Sequence, residues 1–200
     1  MADVLASEVY RLAQRDDDRA VYPLELATRA LGATAIRYEP RLEVPGMLAP
    51  VRGKWRLYLR SGLTRRRLAH VVGHELGHWV CQREGVEDTE DLCDAIGAAI
   101  VAPRRAYLNV VARRGACLRN LAWYFATSET LVALRYAETT GIPLALITPR
   151  DVRLRGKYDW PPENELRALA QSGGGDGLRA VRLRDDPRRI ALTSCALLAA

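Results

Sequence analysis

All three histidines of this 200-residue chain, His70, His74 and His78, fall in one stretch at helical spacing. Around them the sequence reads Leu68-Ala69-His70-Val71-Val72-Gly73-His74-Glu75-Leu76-Gly77-His78-Trp79-Val80, apolar except for the imidazoles and one carboxylate. A helix turns about 100° per residue, so residues four apart share nearly one face, about one turn from each other. A helix this apolar belongs in a core, and titratable groups on it need a partner that offsets their desolvation. A metal is one such partner, because two neutral imidazoles at this spacing can grip a single Zn²⁺. A solvated face bearing two histidines is the bland alternative. Glu75 follows His74 directly, points off the metal axis, and is placed to reach a water in the open metal position.

A catalytic zinc takes three protein ligands. No histidine follows His78, so the third must be a carboxylate, a cysteine or His70. The segment from Gly85 to Pro103 reads as a second helix, with Thr89 or Asp88 as its cap, acidic residues in its first turn and Pro103 as its stop. Glu90 and Asp94 lie four apart on one face of that helix, and either could look across at the histidine pair.

Here the sequence resembles the ImmA/IrrE family of zinc metallopeptidase-like proteins. Their signature is a His-Glu-x-x-His helix, a short link, and a helix of the form Glu-x-x-Ala-Asn-x-Phe-Ala-Ala-x-Leu-Leu-Met-Pro. The second element here reads Glu90-Asp91-Leu92-Cys93-Asp94-Ala95-Ile96-Gly97-Ala98-Ala99-Ile100-Val101-Ala102-Pro103. Asp94 stands in place of the usual asparagine, Ile96 of phenylalanine, Ala102 of methionine, and His70 of an aromatic. The resemblance spans roughly residues 20 to 141 and is specific between His74 and Pro103. It implies Glu90 as the third ligand, with Asp94 orienting a ligand from behind; Asp94 and Asp91 are the weaker ligand candidates. It also implies an α+β fold, in which a small, mostly antiparallel sheet packs on the zinc-binding helix pair and further helices and a short C-terminal extension follow. An edge strand of that sheet would border the cleft, with 47 to 59 as the counterpart here.

The expected chemistry is zinc-dependent endopeptidase action, with His74, His78 and Glu90 holding the metal and Glu75 as general base. Candidates for the oxyanion donor are Tyr107, His70 and Arg104. His70 lies one turn before His74, and a packed or partly solvated histidine in the place of a core aromatic is its simpler reading. The family implies a specific intracellular regulatory protein as substrate, often a helix-turn-helix repressor.

The rival reading is a DNA-binding or protein-binding regulator that keeps the zinc helix pair as scaffold. Residues 118–141 resemble a helix-turn-helix, capped by Ser128 and closed by Gly141, whose second helix would present Glu129, Thr130 and Arg135 to DNA. The net charge of +6 is compatible with nucleic acid, but that helix carries opposing Glu129 and Glu138, and packing on the core is the simpler role.

With 48% hydrophobic and 27% charged residues the chain is ordinary globular material rather than disordered. Helices are expected over 2–15 and Pro23–Leu31, and strands over 33–38 and 55–60. Domain 1–149 would hold the metallopeptidase unit. Residues 150–200 would form an extension, with a helix from Glu163, a flexible glycine-rich linker at 172–177, and a hairpin of 178–184 with 190–194. Cys81, Cys93, Cys117 and Cys195 form no Cys-x-x-Cys pair. With no leader-like start and no membrane-length apolar run, a cytoplasmic protein with reduced thiols and no membrane contact is expected.

Overall fold

A computed structural model of the chain describes residues 1–175, 177–184, 186 and 188–193. It has two compact units, 1–107 with 125–127 and 108–124 with 128 onward. The architecture is α+β.

The first unit begins with α1 (Ala2–Leu12) and α2 (Pro23–Leu31). Proline starts α2 and Gly32 ends it, as the sequence leads one to expect. Residues 33–35 form a 3₁₀ turn, so the expected strand begins later, at β1 (Ile36–Glu39). β2 (Gly46–Val51) and β3 (Lys54–Arg60) complete a sheet of order β1-β3-β2, with β1 parallel and β2 antiparallel to β3. The buried side chains of Leu57 and Leu59 anchor the central strand β3 in the core.

β2 is an edge strand. The Arg60 N–H donates to the Pro45 carbonyl at 3.0 Å, which fixes the alternation: Met47 and Ala49 turn their peptide groups to β3. Gly46, Leu48 and Pro50 therefore turn theirs to the free edge.

The core of this unit is a helix pair, α3 (Arg65–Glu84) and α4 (Glu90–Val101). Thr64 caps α3 and Thr89 caps α4 through their side chains, and Gly85 closes α3 in the left-handed conformation. Small residues set how closely the pair approaches. A Cβ on Gly97 would stand 2.8 Å from the His74 nitrogen, and one on Gly77 would stand 2.9 Å from the Cys93 carbonyl oxygen. The two backbones thus touch where the histidines sit.

α5 (Arg104–Arg114) carries the chain onward from the first unit. The second unit contains α6 (Leu118–Tyr124) and α7 (Glu129–Thr140), with Ser128 and Gly141 capping α7 as expected. Then come β4 (Leu144–Ile147), β5 (Val152–Arg155), α8 (Glu163–Ser172), β6 (Gly174–Gly175), β7 (Leu178–Arg182) and β8 (Ile190–Thr193). The strands form one antiparallel sheet of order β5-β4-β8-β7-β6. Leu166 and Ala170 of α8 pack on Ala145, Ile147, Ile190 and Leu192.

Three details differ from the sequence reading. The division expected at 149/150 falls in the turn between the paired strands β4 and β5. β4 escapes a periodicity search because all four of its residues are buried, leaving no alternation to read. Residues 173–175 are not a free linker: Gly173 caps α8 and Gly174-Gly175 pair with β7. The hairpin of β7 and β8 is as expected, whereas Ser194 and Cys195 lie outside the described residues.

Candidate metal centre

His74 and His78 lie one turn apart on α3, and Glu90 opens α4 across from them. The two Nε2 atoms stand 3.1 Å apart. Glu90 closes the triangle, with Oε2 3.3 Å from His74 Nε2 and Oε1 3.7 Å from His78 Nε2. His74, His78 and Glu90 together form a group that could hold a metal ion.

The other ring nitrogens face carboxylates. His74 Nδ1 lies 2.8 Å from Asp94 Oδ1, and His78 Nδ1 lies 3.1 Å from Asp88 Oδ2. A carboxylate only accepts, so each pairing favours the ring proton on Nδ1, which leaves a bare lone pair at Nε2. Two lone pairs and a carboxylate then converge on one point, an arrangement that repels itself until a cation sits there. The spacing fits tetrahedral zinc, whose two Zn–N bonds of about 2.05 Å place their nitrogens about 3.3 Å apart. The Glu90 side chain is 81% exposed, so the group opens to solvent rather than being closed by protein.

The alternatives left open by the sequence are now separated. Asp94 addresses Nδ1 rather than Nε2 of His74, which is the orienting position. Cys93 Sγ lies 3.4 Å from His78 Nδ1, again the wrong nitrogen, and burial pushes its thiol up to about 12. Asp91 is not among the convergent groups.

A cleft of about 700 Å³ runs along this face, bordered by β2 and by Arg67, His70 and Glu75 of α3. Glu75 is buried, and desolvation raises its pKa; His74, His78 and a hydrogen bond from the Leu48 N–H pull it back. That N–H is one of those β2 turns to its free edge. Gly46 allows the approach, because a Cβ there would overlap Val71 and stand 3.3 Å from Glu75 Oε1. The Asp94 hydrogen bond raises the pKa of His74, whereas desolvation lowers that of His70.

Of the three expected oxyanion donors, only His70 reaches this cleft. Tyr107 is fully buried and stacked on Phe125 at 5.4 Å, so it faces the core. Arg104 lines a separate small cavity with Asp3 and Asp17. Sequence reasoning passed over Arg67, although it lies two turns before His74 on the same stripe. It also treated Asp88 only as a cap; Thr89 takes that role and leaves Asp88 to His78.

Of the three α7 residues that DNA reading would use, Glu129 and Arg135 are buried, and Thr130 is half-buried and accepts from Arg189 at 3.2 Å. Arg135 is buried and pairs with Glu138 at 3.0 Å, and the buried Glu129 carboxylate accepts from the Arg184 N–H at 2.8 Å.

The sequence matches no protein-family model and no curated protein. Among solved structures, that of a Mycobacterium tuberculosis transcriptional regulator is similar at a TM-score of 0.60 and 12% identity. The match covers 80% of this chain and 56% of that one, so the chain spans little more than half of that protein's length. The likeness is one of fold. Among the described residues no helix is long and apolar enough to cross a membrane.

Proposed function

We propose that the chain is a zinc-dependent endopeptidase acting on a specific intracellular regulatory protein. The observation that carries this reading is Glu75: a buried carboxylate beside a His-His-Glu group, held by an edge-strand N–H at the wall of a cleft. A scaffold role for the metal would not call for a carboxylate there.

When bound, zinc would supply Lewis-acid polarisation of a water and of the scissile carbonyl. Glu75 takes a proton from the attacking water and returns it to the leaving amine nitrogen as the C–N bond breaks. Burial raises its pKa in the metal-free site, and a bound Zn²⁺ would lower it again, toward the charged base. With the Leu48 N–H held by Glu75, the Gly46 N–H and the outward carbonyls of β2 are left to pair with an extended segment of substrate, largely independently of its side chains. His70 and Arg67 are cleft residues available to donate to the carbonyl oxygen. The identity of the substrate as a helix-turn-helix repressor rests on the resemblance over 74–103 alone.

The test pairs wild type with Glu75→Gln, both zinc-loaded and verified by plasma mass spectrometry, on a proteome whose new protein N-termini are then mapped. New N-termini that depend on Glu75 support the peptidase. None from a fully zinc-loaded wild type would sink it, and salt-sensitive DNA binding unchanged by Glu75→Gln would install the regulator reading instead.

A further inference from the structure

His78 Nδ1 has two neighbours with opposite demands. Asp88 Oδ2, at 3.1 Å, can only accept, and so requires the ring proton on Nδ1. Cys93 Sγ, at 3.4 Å, belongs to a free, buried thiol whose S–H can turn either to Cys81 or to a bare Nδ1. The first arrangement leaves the Nε2 lone pair for a metal. The second puts the proton on Nε2, where it faces the His74 Nε2 at 3.1 Å and blocks that position. At His74 the Nδ1 meets the Asp94 carboxylate, at 2.8 Å.

Asp88 is itself held. Gln82, one turn beyond His78 on α3, donates its side-chain N–H to the same Oδ2 at 3.0 Å. Asp88 lies on the link between the two helices, and its own backbone N–H and the Gln82 amide together hold its carboxylate toward the ring on α3. One amide, one carboxylate and one imidazole thus form a chain that ends at the ligand nitrogen.

We propose that Asp88, fixed by Gln82, is a positioning residue that selects the Nδ1–H form of His78 against Cys93 and so readies its Nε2 to bind a metal. The proposal rests on the metal-centre reading and is independent of whether the protein cleaves peptides. A carboxylate behind a metal-binding histidine sets both the tautomer and the ring orientation, and its loss weakens metal binding by about ten- to a hundredfold.

The experiment uses the full chain, stripped of metal by chelation and labelled with ¹⁵N, at a pH where the imidazoles are neutral. Two-bond proton–nitrogen correlations report which ring nitrogen carries the proton. Wild type is expected to show Nδ1–H for both His74 and His78. Asp88→Ala is expected to move His78 toward Nε2–H while leaving His74 unchanged, and to weaken Zn²⁺ binding by about ten- to a hundredfold in chelator competition. Adding Cys93→Ala to Asp88→Ala removes the competing donor and should recover part of that loss. Asp91→Ala, an exposed acidic neighbour, should change neither readout. If Asp88→Ala fails to fold, Gln82→Met removes only the aiming amide and should shift both readouts the same way by less. An Nε2–H His78 in wild type, or an unchanged tautomer or zinc affinity in folded Asp88→Ala, would overturn the proposal. A wild type that binds no zinc would instead refute the metal centre, with the tautomer result still readable.

Discussion

At the scale of single residues, Glu75 is pulled in opposite directions by its surroundings. Burial disfavours its charged form, while Leu48, His74 and His78 favour it, and burial prevails. A base must be deprotonated to act, so kcat/KM of the zinc-loaded enzyme is expected to rise with pH along one acid limb, with the Zn²⁺ charge setting its midpoint below that of metal-free Glu75. A rate that stays flat as pH falls through the carboxylate range would remove Glu75 from that role. The same conflict predicts a stability cost in the metal-free protein. Between the unfolded and the raised folded pKa, the folded state holds more protons, so stability falls as pH rises across that window. Glu75→Gln should therefore raise the melting temperature of the metal-free protein at neutral pH, by about 2–4 °C for each kcal/mol relieved. Calorimetry at pH 7 checks the sign, and an unchanged or lower Tm would show that Leu48 and the imidazoles outweigh burial.

At the scale of elements, the α3–α4 crossing decides whether a metal site exists at all. Glu90 and the histidines belong to different helices, and their distances depend on backbones that touch at Gly73, Gly77 and Gly97. Gly97→Ala inserts a methyl where His74 backbone atoms already stand, and overpacking of this kind costs about 1–3 kcal/mol. Urea unfolding should show that loss, and chelator competition should show weaker zinc binding, because the helices must part. A variant with full stability and zinc affinity would mean that the crossing tolerates separation. α7 carries a prediction of another kind. Arg135→Ala removes a fully buried side chain, while Glu138 keeps Arg155 at 3.4 Å, and should destabilise by about 0.5–3 kcal/mol. A stable Arg135→Ala protein with altered DNA binding would restore α7 as a recognition helix.

At the scale of the whole molecule, the two compact units should respond unequally to metal, since all three candidate ligands belong to the first. Zinc at a hundred times its Kd stabilises what it binds by about 2.7 kcal/mol. Hydrogen exchange is expected to show slower exchange in α3 and α4 on zinc addition, with α8 and β4 to β8 unchanged. Equal protection of both units would show that they unfold together.

The sequence by itself determined whatever follows from spacing within one element. His74, Glu75 and His78 on one helix, the caps at Thr89, Ser128 and Gly141, and the proline start of α2 are all where the 3.6-residue period and local capping chemistry put them. Tertiary structure decided which nitrogen each acid meets: Glu90 faces Nε2, Asp88 and Asp94 face Nδ1, and Cys93 is shut out. It also sent Tyr107 into the core, buried the face of α7 and joined β4 to strands forty residues later. The reason is physical: covalent geometry carries along a helix for a few turns, whereas the approach of two elements is set by side-chain volume at their contact. Here three glycines at one crossing set that approach, and their meaning becomes visible only once the helices are side by side.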